Sequence, residues 1–77
     1  MIVIYTQDTT YIRENADAAK EILCSVYGEK LGKEAYNAVN RARVGASYRK
    51  NGGPLVKVVD KEQAAIIRAK ETVIGMM

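Results

Sequence analysis

Apolar and polar positions alternate along the chain in five stretches, and the period changes from one to the next. MIVIYT (1–6) is an unbroken β-branched run and reads as a strand buried on both faces. QDTT follows as a turn, in which Asp8, Thr9 or Thr10 has the side chain to cap a helix. Ile12, Ala16, Ala19, Leu23 and Val26 then recur at spacings of 4, 3, 4 and 3, one apolar helical stripe with Arg13, Asp17, Lys20 and Glu21 outside it. A start at Asn15, with TTYIRE as a second strand, is the second choice. Gly28 ends this helix as a left-handed cap. A second helix runs from Lys30 or Lys33 to Arg43, with Leu31, Ala35, Ala38 and Ala42 inward and Gly45 closing it. Both stripes are rich in alanine, so the two backbones have room to approach closely.

The next signals have period two. ASYR (46–49) and PLVKVV (54–59) flank KNGG, whose Asn51-Gly52-Gly53 supplies the positive φ that a hairpin turn needs. Pro54 donates no ladder hydrogen bond and belongs at a strand start or edge. DKEQ (60–63) resembles a capping box with Asp60 as cap and Gln63 reaching back. Ile66, Ala69 and Val73, flanked by Ile67 and Ile74, give the last helix its apolar face. The expected order is β-α-α-β-β-α. It forms one α+β domain over 1–77, a helix pair followed by a basic β-hairpin and a C-terminal helix.

Composition changes this picture in two ways. The chain has 77 residues and five tyrosines but no Phe or Trp, so its core is thin. A partner, a bound ligand or a second copy of the chain would supplement it, and a homodimer is one such solution. The net charge of +3 is mild but unevenly spread. Five of the twelve bases and none of the nine acids fall between Ala35 and Val59, leaving seven bases and nine acids elsewhere. These twenty-five residues contain Arg41, Arg43, Arg49, Lys50 and Lys57, and an acid-free stretch of that length points to a polyanion or an acidic protein surface.

Catalytic chemistry finds little support. The chain has no His and one cysteine, Cys24, which has neither an activating base nor an internal disulfide partner. A zinc site would have almost no ligands, and KNGG lacks the spacing of a phosphate-binding P-loop. A non-enzymatic protein with no metal and no cofactor is expected. Without a secretory signal or a spanning apolar segment, the expected setting is cytoplasmic, with no membrane partner.

From Ala16 to about Ala69 the order of elements, and above all NRARVGASYRKNGGPLVKVVDKEQA (40–64), resembles the winged helix-turn-helix DNA-binding domains of the excisionase and MerR-like group. The resemblance implies a second helix in the major groove of duplex DNA and a hairpin wing on the adjacent backbone. Carried across, Lys33, Asn37, Asn40 and Arg41 face the groove, while Arg43, Tyr48, Arg49 and Lys50 face phosphates. Lys57 completes the basic set. The long first helix, the link GEKLG and the leading MIVIYT depart from the family pattern.

The leading expectation is a small DNA-binding regulatory or architectural protein. The alternative is an interaction protein of phage or mobile-element type, which inhibits or modulates a host macromolecule through the same basic surface. A third reading is an oligomer that holds a small anionic ligand between subunits.

Overall fold

Four short strands and three helices follow one another in the order β-β-α-α-β-β-α. The computed structural model describes residues 1–50 and 52–76, with side chains through Lys70. The strands are β1 (Ile2–Tyr5), β2 (Thr10–Arg13), β3 (Ser47–Tyr48) and β4 (Leu55–Val58). The helices are α1 (Ala16–Tyr27), α2 (Glu29–Val39) and α3 (Lys61–Met76). All neighbouring strands are antiparallel, in the sheet order β2-β1-β4-β3.

At TTYIRE the second choice holds: Thr10–Arg13 is a strand and not the start of a helix. Thr6 and Thr9 close a tight turn over Gln7-Asp8: the Thr6 N–H donates to the Thr9 carbonyl at 2.9 Å, and the Thr9 N–H to the Thr6 hydroxyl oxygen at 2.9 Å. That turn places Ile4 opposite Tyr11 and Val3 opposite Ile12. Tyr11 and Ile12 then pack into different hydrophobic clusters on opposite faces of the sheet, an alternation that a helix does not allow. The helix cap falls to Asn15, whose Oδ1 accepts from the Ala18 N–H at 2.8 Å.

Strand parity divides the core. Ile2, Ile4, Val56 and Val58 face Ala16, Ala19 and Leu23 of α1 and Ala35 and Val39 of α2. Val3 and Val59 face the other way, toward Ala64 of α3, with Tyr5, Ile12 and Ile67 half-buried around them. The sheet is therefore a middle layer between the α1–α2 pair and α3. Asp60 caps α3 as expected, its Oδ1 accepting from the Gln63 N–H at 2.7 Å. The buried face of α3 is turned from the expected one. Ala64 and Ile67 point inward, Ile66 is 53% exposed and Ala69 is exposed. Val73 and Ile74 lie outside the residues whose side chains are described, and Asn51 of the hairpin turn lies outside the described residues altogether.

The two helices are joined by Gly28 alone, not by the longer link GEKLG. At φ 88° Gly28 ends α1 with its N–H on the Cys24 carbonyl and begins α2 with its carbonyl on the Gly32 N–H. Gly32, inside α2, is where the helices touch: a Cβ there would stand 2.5 Å from the Cys24 Cα. Gly32, Ala35 and Val39 are the buried positions of α2, while Ala38 is exposed and Leu31 and Ala42 only half-buried.

Candidate nucleic-acid interface

α2 ends four residues earlier than the sequence pattern indicates, at Val39 and not Arg43, and that changes where its arginines stand. The helix stops at Val39 because Asn40 turns extended, at φ −65° and ψ 121°. The Ala42 N–H then closes on the Val39 carbonyl at 3.2 Å, and Arg41 sits at φ 60°. These angles describe a type II turn with Arg41 in the position that glycine normally fills. A second turn follows at once. The Ala46 N–H donates to the Arg43 carbonyl at 3.0 Å, with Gly45 at φ 102°. The Gly45 N–H to Val58 and the Val58 N–H to Ala46, both at 2.9 Å, fasten this second turn to the end of β4.

Basic side chains in the last turn of a helix complement its dipole, but that reason does not apply to these arginines. The last turn of α2 contains no base. Arg41 and Arg43 stand beyond it, exposed, and neither side chain makes a hydrogen bond or ion pair among the described residues. The outer face of α2 leads toward them through exposed Lys33, Asn37 and Asn40. Lys33 is 3.5 Å from Glu29, an exposed pair one helical turn apart.

The hairpin bases behave differently. Lys50 Nζ donates to Glu34 Oε1 at 2.8 Å, and this bond, with the Glu34 charge, raises the Lys50 pKa. Arg49 Nε donates to the Gly53 carbonyl at 3.0 Å. Tyr48 turns inward: its ring meets Tyr27 edge-on at 5.6 Å, and its hydroxyl is buried with no hydrogen-bond partner among the described residues. Tyr48 therefore supports the hairpin from within and presents no stacking surface. Lys57 points to the opposite face of the sheet, beside Tyr5, Gln63 and Ile66.

The nine candidate residues thus do not form one patch. Lys33, Asn37, Asn40, Arg41 and Arg43 share the outer face of α2 and the turns beyond it. Arg49 and Lys50 stand at the other end of β4, three and four residues past Ala46 and so at most roughly 10 and 13 Å from it at the rise of a strand, and Lys50 reaches back to Glu34 of α2. The expected projecting wing is also absent, because β4 is an inner strand between β1 and β3.

Two residues missed in the sequence belong with Arg41. Lys20 Nζ lies 5.2 Å from the centre of the Tyr36 ring. The Tyr36 hydroxyl donates to Asp17 Oδ1, and this bond is the main cause of a raised Tyr36 pKa, partly opposed by the nearby Arg41 charge. The signal was the symmetry of the helix pair. Lys20 and Tyr36 are equidistant from Gly28, as are Cys24 and Gly32, so a hairpin folded at Gly28 brings each pair together.

Among the described residues no group of three or more His, Cys, Asp or Glu could hold a metal ion, and no helix is long and apolar enough to cross a membrane. Cys24 is half-buried against Gly32. No protein-family model, curated protein or solved structure matches this chain.

Proposed function

We propose that this protein is a small binding module that engages the phosphate backbone of a nucleic acid, duplex DNA foremost. It does so through the outer face of α2 and the two turns beyond it. The observation that carries the reading is Arg41. A left-handed backbone costs an L-residue about 1–2 kcal/mol, and glycine at this turn position would avoid the cost. An arginine there whose side chain has no hydrogen bond or ion pair among the described residues, next to an Arg43 that likewise has none, favours a role for the side chains outside the fold. Lys20, Lys33, Asn37 and Asn40 add charge and hydrogen-bonding groups on the same side. Such a surface gives affinity without much sequence information.

Fluorescence anisotropy of a labelled duplex, titrated at several salt concentrations, tests this. Binding should weaken steeply as salt rises, with a slope set by the number of phosphates neutralised. A folded sample that does not bind at low salt ends the proposal.

Val44 supports a second reading. It is 57% exposed at the tip of the second turn, directly after Arg43. An apolar tip flanked by cations fits an acidic protein surface with a small apolar recess. A complex that survives nuclease treatment would favour that partner over DNA.

A further inference from the structure

The antiparallel pairing of Tyr5 with Leu55 brings the Thr6–Thr9 turn and the 49–54 loop to the same end of the sheet. An open cleft of about 630 Å³ lies between them. Its apolar lining includes Tyr5, Val26, Pro54 and Leu55, and Arg49 and Asp8 also line it. The volume is that of a small-ligand site.

Both segments are held in place. On one, the Thr6 hydroxyl and N–H both donate to the Thr9 carbonyl. On the other, Arg49, Lys50, Gly53 and Pro54 are held by four contacts. The Gly53 N–H closes on Lys50, Lys50 is paired with Glu34, the Tyr27 hydroxyl donates to the Pro54 carbonyl, and Arg49 Nε donates to Gly53. The last bond fixes the guanidinium by its inner nitrogen and leaves both terminal nitrogens without a partner among the described residues. A guanidinium held this way offers a pair of parallel donors to one oxyanion, with its orientation already set.

We infer that this cleft binds a small molecule carrying a carboxylate or phosphate on a planar apolar body. Arg49 takes the oxyanion, while Tyr5, Val26, Pro54 and Leu55 take the body. Asp8, which lines the same cleft, opposes the anion and keeps the affinity modest. This inference is separate from the nucleic-acid reading, since neither Arg41 nor Arg43 lines the cleft.

The test is an NMR titration of the full chain with benzoate, phenyl phosphate and neutral benzamide, followed at the amides of Tyr5, Gly53 and Leu55. Saturable shifts with benzoate or phenyl phosphate support the inference, and the tighter of the two identifies the head group. Benzamide should bind at least about tenfold more weakly, the loss expected for a charge-assisted bond. Arg49→Gln should weaken the anions by a similar factor. Because that variant also loosens the loop, Asp8→Asn supplies an independent measure and should tighten binding about twofold. Three results overturn the inference: no saturation at tens of millimolar, benzamide binding as tightly as benzoate, or an anion affinity that Asp8→Asn does not raise. The Arg41→Gly chain should bind benzoate as the unaltered chain does.

Discussion

The two ends of β4 carry the same kind of charge and treat it in opposite ways. At the 49–54 end, Lys50 is paired with Glu34, Arg49 is folded onto Gly53, and Tyr27 supports the loop from below. At the 39–46 end the backbone is as tightly closed, by two successive turns, but the Arg41 and Arg43 side chains make no hydrogen bond or ion pair among the described residues. The lesson is that an acid-free stretch of sequence need not be acid-free in space. Glu34 lies one residue outside the basic segment and neutralises part of it, and the charge left for a partner concentrates after α2.

The contrast can be broken most strongly from below the pinned loop. Tyr27→Ala removes the edge contact with Tyr48 and the bond to Pro54, and should cost about 2 kcal/mol in urea unfolding. At the other end, Gly45→Ala forces a side chain onto a backbone at φ 102°, for a loss of about 1–2 kcal/mol. Arg41→Gly should do the reverse, leaving stability unchanged or raising it by up to about 1 kcal/mol, because glycine suits the turn. The same change should lower the salt slope of DNA binding by about 0.9, the value for one lost phosphate contact, as should Arg43→Ala. A variant that gains stability yet loses binding would separate the two roles of position 41; a parallel loss of both would refute the proposed one.

Glu34→Gln sharpens the comparison by making the ends alike. Freeing Lys50 should tighten DNA binding at low salt, while stability changes little, as for exposed ion pairs generally. The smallest effect is alkaline. Lys50, Tyr36 and Tyr27 all have raised pKa values: Lys50 through its Glu34 bond, Tyr36 through Asp17, and Tyr27 through burial. A group whose folded pKa is raised contributes fully below its ordinary value, here 10.0 for the tyrosines and 10.5 for the lysine, and loses that contribution as pH rises through the folded value. The contribution of these three groups to the unfolding free energy should therefore be flat below pH 10 and fall above it. Tyr36→Phe should reduce the fall, measured by denaturant titration at each pH.

The strongly periodic parts of the fold were legible in the sequence. The apolar face of α1, the pairing of β3 with β4 and the Asp60 cap follow from local pattern and local chemistry. What escaped depended on contacts between elements. Periodicity alone could not tell Thr10–Arg13 from a first helical turn, because Ile12 fits a helical stripe as well as a strand, and only β1 as a neighbour decides. Gly32 looked like part of a link because its use, letting Cys24 approach, exists only when two helices meet. The end of α2 was misplaced since Ala42 continues the stripe by spacing, while Asn40 and Arg41 had already left the helix. Of the candidate site, Lys33, Asn37, Asn40, Arg41 and Arg43 stand together, but the turning of Lys57 to the opposite face of the sheet is a matter of sheet geometry that one-dimensional spacing does not contain.

The strand order has a consequence for how the chain reaches its fold. Two of the three strand pairings and the single helix pair join consecutive segments, so each can form early and locally. The β1–β4 seam instead joins residues fifty or more positions apart, from Tyr5 with Leu55 to Ile2 with Val58. Both hydrophobic clusters close across it, since Ile4 with Val56 and Val3 with Val59 lie on its two sides. Folding speed should therefore be set by that one long-range closure, with the local hairpins waiting for it.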